Sequence, residues 1–193
     1  MKQNSQILLA SASPRRSELL AQIGLQFSVV VTDIDETRRE GEEPTAFVKR
    51  LAGEKALAGL QMSAIKAPAL GADTVVLLDD LILGKPVDRE DAADMLRMMS
   101  GRAHLVLSAV ALARSPEQVD VVLNETRVTF AELPDDFIQW YCTTDEPLDK
   151  AGAYAIQGHA GQFVSNIEGS YSCVMGLPLF EAGQLLRAAG ILS

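Results

Sequence analysis

Two hydrophobic rhythms alternate along the chain. Ile7-Leu8-Leu9-Ala10 is a short continuous apolar run, the pattern of a strand buried on both faces. The rhythm then turns helical, with Ser13 as N-cap, Pro14 at the first helical position and Gly24 as the stop. Leu25 to Val31, rich in Val and Phe, predicts a second strand. From Thr45 to Met62 the residues Phe47, Val48, Leu51, Ala52, Ala56 and Leu60 recur at helical spacing. Ala67 to Leu78 predicts a strand covered on both faces. Asp79-Asp80 makes a turn, and Leu81 to Leu83 returns as a short strand.

Arg89 to Met99 predicts an amphipathic helix capped by Asp88, with Ala92, Ala93, Leu96 and Met99 inward and Gly101 after its end. His104 opens a long strand through Ala113, where a structural, satisfied histidine is expected. Ser115-Pro116-Glu117 turns the chain into a second long strand, Val119 to Phe130. Together they read as an antiparallel hairpin, which makes the sheet mixed. Pro134 to Tyr141 predicts a helix with Trp140 packed, Ala153 to Ile156 a short strand, and Phe163 to Ile167 a further strand. His159 reads as exposed. Leu179 to Ala189 predicts the last helix, with Phe180, Leu185 and Leu186 facing the core. No repeat, low-complexity tract or linker interrupts the 193 residues, so a single domain over 1–193 is the simplest expectation.

Composition narrows the class. Hydrophobic residues make up 48%, which excludes a disordered chain. No apolar run approaches the ~20 residues that span a bilayer, and no secretory signal is evident, so a cytoplasmic protein is expected. Cys142 and Cys173 lack metal-type or redox-type spacing and read as reduced. The net charge of −9 disfavours nucleic acid as a partner. It leaves an anionic small molecule possible only through a local basic cluster or a bound cation.

Four places carry candidate chemistry. Arg15 and Arg16 sit in the first turn of a helix, where the dipole disfavours positive charge. Either they are surface arginines on an ordinary strand–helix turn, or they serve a phosphate chain, which guanidinium grips bidentately. Asp33, Asp35 and Glu36 at a strand end are a solvated loop or part of a divalent-cation site. Lys55 borders the apolar stripe of its helix: it either lies over the core edge with its amine in water or holds that amine at a cleft rim. Asp73 in an apolar strand is costly unless paired, hydrogen-bonded or metal-bound, or else it caps a neighbouring loop. Gly71 nearby admits a close backbone or ligand. The loop Thr144 to Gly158 mixes charges with small residues, and Gln157 offers an amide suited to a base edge. The chain lacks a phosphate-loop lysine motif, a dinucleotide glycine signature and a nucleophile elbow, which removes the common nucleotide-binding classes.

The motifs Ala10-Ser11-Ala12-Ser13-Pro14-Arg15-Arg16, Gly71-Ala72-Asp73-Thr74, Gly84-Lys85-Pro86 and Asp145-Glu146-Pro147-Leu148-Asp149-Lys150-Ala151-Gly152-Ala153-Tyr154-Ala155-Ile156-Gln157-Gly158 lie along essentially the whole chain. Together they resemble the Maf family of nucleoside triphosphate pyrophosphatases, in its dTTP/UTP branch. Ala12 stands where the family more commonly has glycine. The resemblance implies an α/β fold with a mixed, twisted sheet flanked by helices, like that of inosine triphosphatases, and a nucleotide cleft between two lobes. It implies hydrolysis between the α- and β-phosphates, with Asp73 as proton acceptor. It implies that Arg15, Thr74 and Gln157 shape substrate choice, and that Ser11, Glu36, Lys55 and Lys85 belong to the site. Arg15, Arg16, Lys55 and Lys85 are then expected on the phosphates, with Thr74 and Gln157 on the pyrimidine edge. A divalent metal cation, Mg²⁺ or Mn²⁺, is expected on Glu36 and Asp73. A nucleoside triphosphate is the expected partner and, by analogy, a second copy in a homodimer; no nucleic acid or membrane is expected. Two alternatives stay open: a 7-methyl-GTP pyrophosphatase of the same family, and a regulatory nucleotide-binding inhibitor of septum formation.

Overall fold

A computed structural model describes residues 7–192. The elements in chain order are β1 (Ile7–Ala10), α1 (Pro14–Gln22), β2 (Phe27–Val29), α2 (Pro44–Met62), β3 (Ala69–Leu78), β4 (Leu81–Leu83), α3 (Arg89–Met99), β5 (Ala103–Ser115), β6 (Gln118–Phe130), α4 (Asp135–Tyr141), β7 (Val164–Glu168), α5 (Tyr171–Val174) and α6 (Leu179–Ala188). The strands form one seven-stranded sheet in the order β2-β1-β3-β5-β6-β7, with β4 paired to β3 off that path. β1 runs parallel to both β2 and β3, with Ala10 opposite Gly71. β4 and β7 pair antiparallel with β3 and β6. Only Pro116 and Glu117 join β5 to β6, a connection too short for anything but antiparallel pairing. The sheet is therefore mixed, with helices between its strands, as the sequence predicts.

Two compact units divide the chain: Met1–Asp73, Ser108–Asn124 and Gly176–Ser193 form the first, and Thr74–Leu107 and Glu125–Met175 the second. In the first, β1 is wholly buried, which explains its unbroken apolar run. α2 buries the stripe Phe47, Val48, Leu51, Ala52 and Ala56 foreseen from its period. β2 is shorter than Leu25–Val31. It is an edge strand, and Val29 and Val31 are exposed beside it.

The second unit has its core around Leu96, Met99, Val106, Phe130, Ile138 and Tyr141. Asp88 caps α3 by accepting from the Asp91 amide at 2.9 Å. His104 is buried and its Nε2 lies 2.9 Å from the Tyr154 hydroxyl, a structural role, but its buried Nδ1 meets no partner among the described residues, so the histidine is not fully satisfied as expected. Both cysteines are free and buried.

Three local expectations fail. Trp140 is 48% exposed, because α4 turns Ile138 and Tyr141 inward and leaves Trp140 edge-on to His159. Phe180 is 65% exposed, because α6 buries Ala182, Gly183 and Leu186 and Phe180 lies outside that stripe; Leu185 is half-buried. Ala153–Ile156 is not a strand. Gly152 and Ala153 both take positive φ, 69° and 58°, which ends a 3₁₀ turn over Ala151–Ala153 where an extended segment would have to start.

Candidate active site

The end of β1 sets the first pieces. Ser11 is buried, and its Oγ accepts from the Ser13 amide and from Arg16 Nη1, both at 3.2 Å. Ser13 occupies the N-cap position of α1 but makes no side-chain capping bond there. Ser11 shapes the turn instead. Arg16 Nε donates to the Gly176 carbonyl at 2.7 Å, so this guanidinium is anchored on two sides. Burial pulls it below its ordinary pKa; Asp73 opposes that fall, Arg15 adds to it, and Glu36 opposes it. Arg15 is half-buried, and among the described residues no ion pair holds it.

The centre of the site depends on how closely α2 approaches β3. A Cβ on Gly71 would lie 2.4 Å from both the Ala52 carbonyl oxygen and the Ala56 nitrogen. Only glycine allows the helix backbone this near, so of the two partners foreseen for Gly71, backbone or ligand, it meets backbone. Asp73 lies two residues further along the same strand and shares its face. Lys55 precedes Ala56 on α2 and reaches it: Nζ donates to Asp73 Oδ1 at 2.6 Å. The same Nζ stands 2.8 Å from Glu36 Oε1. Lys55 does not lie over the core edge with its amine in water. Its side chain is 11% exposed and the amine joins two carboxylates. The Asp73 carbonyl accepts from Ser108 Oγ at 3.3 Å, which ties the strand at this point.

Burial pushes the Asp73 carboxyl above the ordinary aspartate value. The charge and hydrogen bond of Lys55, then the charge of Arg16, pull it back, and Glu36 pushes it up again. A carboxyl raised in this way binds a proton more readily than a solvated one.

The donor set also bears on a metal. Among the described residues no three His, Cys, Asp or Glu side chains converge to hold one. Glu36 and Asp73 are two hard carboxylates meeting at a single cation, Lys55. That pair fits a Mg²⁺-type ion that takes the rest of its shell from phosphate oxygens and water. It does not fit an all-protein cage.

The remaining sequence candidates belong to the second unit. Thr74 follows Asp73 on β3 and is half-buried. Lys85 is exposed, next to Gly84, whose carbonyl accepts from the Gly152 amide at 3.0 Å. Gln157 is exposed on a loop fastened by Glu146. Glu146 Oε1 accepts from the Tyr141 hydroxyl at 2.8 Å and from the His159 amide at 3.1 Å, and Oε2 lies 2.8 Å from His159 Nδ1. A Cβ on Gly158 would lie 1.8 Å from Glu146 Oε1, so a side chain there would push the Glu146 carboxylate off its partners. The structure thus groups Ser11, Arg15, Arg16, Glu36, Lys55 and Asp73 in one unit, with Thr74, Lys85 and Gln157 in the other. Sequence reasoning missed the Glu146 clasp. It also missed a second network, in which Arg50 grips Glu42 through two nitrogens at 2.6 and 2.8 Å. The Arg50–Glu54 spacing of four residues on a helix was the one local signal for it.

An α/β chain with a buried carboxylate held by a lysine, beside arginines at a helix start, defines a class of anion-handling enzyme. Comparison with known proteins narrows that class. The family described as Maf-like protein matches residues 6–189, and the chain belongs to that family. A protein of Shewanella sp. (strain MR-7) named dTTP/UTP pyrophosphatase is 56% identical over 192 residues, covering 96% of this chain and 98% of that one. One of the same name from Escherichia coli (strain K12) is 53% identical over 180 residues, covering 93% and 91%. Among solved structures, a HAM1 protein from Coxiella burnetii matches with a TM-score of 0.54 at 14% identity, covering 95% of this chain and 99% of that one, a likeness of fold.

Proposed function

We propose that this chain is a nucleoside triphosphate pyrophosphatase that hydrolyses dTTP and UTP to the monophosphate and pyrophosphate. Two supports carry the substrate class: relatives of that name at more than half identity, and the motifs shared along the chain. The observation that carries the chemistry is the buried Asp73 carboxylate, bonded to Lys55 at 2.6 Å, with Glu36 on the same amine.

In this reading a water attacks the α-phosphorus and Asp73 takes its proton on a carboxylate oxygen. The bond from the α-phosphorus to the bridging oxygen breaks, and pyrophosphate leaves with that oxygen. Lys55 holds Asp73 in place before and after the transfer, so little reorganisation is needed when the proton moves. Arg15, Arg16, Lys55 and Lys85 neutralise phosphate oxygens. Arg16 is held by Ser11 and the Gly176 carbonyl, so it offers a fixed fork rather than a mobile one. Thr74 and Gln157 read the pyrimidine edge. Glu36 and Asp73 would hold a divalent cation such as Mg²⁺ or Mn²⁺, which supplies charge neutralisation at the triphosphate when bound.

The test is pyrophosphate release from a panel of triphosphates: dTTP, UTP, CTP, ATP, GTP and 7-methyl-GTP. Expected is turnover of dTTP and UTP at least tenfold above the others. Preference for 7-methyl-GTP, or binding of dTTP with no pyrophosphate released under any divalent cation, overturns the reading.

A further inference from the structure

Glu36 lies in a segment without regular secondary structure, between β2 and α2. Such a segment does not hold a carboxylate in place by itself. Its anchor is on the same helix as Lys55. Arg50 Nε donates to Glu42 Oε1 at 2.6 Å and Nη2 to Glu42 Oε2 at 2.8 Å, a two-pronged pair. Nη2 also donates to the carbonyl of Thr37, the residue after Glu36, at 3.1 Å. Glu42 in turn accepts from the Arg39 amide at 3.1 Å, and its carbonyl accepts from Arg38 Nε at 2.8 Å. Arg50 Nη1 and Arg39 Nη2 both reach Glu54. The side chains of Arg50 and Glu42 are 13% and 10% exposed, so this is no solvent-screened surface pair. Its strength shows in both partners. The hydrogen bond from Arg50 holds the Glu42 carboxyl down to about 2, and that same pairing raises the Arg50 guanidinium above its ordinary value.

We infer that Arg50 is a positioning residue: by clamping Thr37 and Glu42 onto α2 it holds Glu36 at Lys55 and so builds the cation side of the site. The geometry is direct: on one helix, Lys55 meets Glu36 while Arg50 holds Thr37 beside it and Glu42 at the far end of the same short stretch. The functional half of this inference rests on the assignment of Glu36 to the cation.

Arg50→Lys keeps the charge but cannot form the two-pronged pair. Three measurements on the full chain test it. Hydrogen exchange of the Arg39 amide, whose acceptor is Glu42, should speed up at least tenfold in Arg50→Lys while exchange in β3 is unchanged. Mn²⁺ binding, followed by titration in the presence of a non-hydrolysable dTTP analogue, should weaken several-fold. Turnover should fall about tenfold in Arg50→Lys, and the double variant Arg50→Lys/Glu36→Gln should fall no further than Glu36→Gln alone, because both changes remove one function. A merely structural role would lower overall stability and add to the Glu36→Gln loss. Glu42→Gln, made in parallel, should reproduce the exchange change. Unchanged Arg39 exchange in both variants, or full turnover and Mn²⁺ affinity in Arg50→Lys while Glu36→Gln is inactive, overturns the inference alone. Native turnover and Mn²⁺ affinity in Glu36→Gln overturn the assignment of Glu36 and remove this role from Arg50 with it.

Discussion

In the first unit the candidate charged groups other than Arg15 are held in place by partners. Lys55 is bonded to Asp73 at 2.6 Å and stands 2.8 Å from Glu36, and Arg16 is fixed by Ser11 and Gly176. In the second unit Lys85 and Gln157 are exposed, and the hydrogen bonds go to the loop backbone that carries Gln157. The contrast suits the tasks proposed for Asp73 and Arg16 on one side and Gln157 on the other, with exposed Lys85, proposed for a phosphate, as the exception. Proton transfer and charge neutralisation gain most from groups oriented before the substrate binds, because reorienting them during reaction adds to the barrier. A buried ammonium among carboxylates is tolerable only when every partner is present, since an unpaired buried charge costs several kcal/mol. The base recognition proposed for Gln157 has no such requirement: the loop must be in place, and the exposed amide can meet its partner on binding. The Glu146 clasp and the glycine at 158 meet that need in the second unit as the Arg50–Glu42 pair does in the first.

If that contrast is right, substitutions in the two units should fail differently. The largest effect is expected from Asp73→Asn, which keeps an oxygen for Lys55 but cannot take a proton. Removing a positioned base costs on the order of 10²–10⁴ in rate. Turnover of dTTP should fall by that amount with dTTP binding retained, as single-turnover and binding measurements would show. Near-native turnover would end the role given to Asp73.

Next comes Lys55→Met, which strips a charge-assisted bond of about 1.5–3 kcal/mol and should lower turnover roughly 10–100-fold. It should also move the pH profile. In the proposed role Asp73 acts only when deprotonated, and its pKa is already raised by burial and restrained by Lys55. Without Lys55 the pKa rises further, so the acid limb of kcat/KM shifts to higher pH. An unmoved or acid-shifted limb would show that Lys55 does not tune this carboxylate.

The smallest effect is expected from Gln157→Ala. Loss of one neutral hydrogen bond to the base is worth about 1 kcal/mol, or roughly fivefold. It should appear in KM for dTTP and UTP with kcat nearly constant, the signature of lost uniform binding. A fall in kcat with KM unchanged would place Gln157 among the groups that act on the transition state and would erase the distinction between the units.

What the sequence by itself determined was which segments fold and which charged residues stand out against them. Hydrophobic period located β1, α2 and β3, because burial on one face or two is written locally, residue by residue. The cost of an aspartate in an apolar strand marked Asp73, and the glycine beside it marked a close approach. Only the tertiary structure decided the partners. Lys55 and Asp73 lie 18 residues apart in the chain and meet because Gly71 admits the α2 backbone; Arg50 reaches back along its own helix to Glu42, two residues before α2 begins. Trp140 and Phe180 were misplaced for the same reason: apolar character says that a side chain can be buried, while the helix stripe that packs decides whether it is. Periodicity reports exposure, and pairs such as Lys55–Asp73 arise only once elements have packed, so the candidate residues were legible one by one and their arrangement was not.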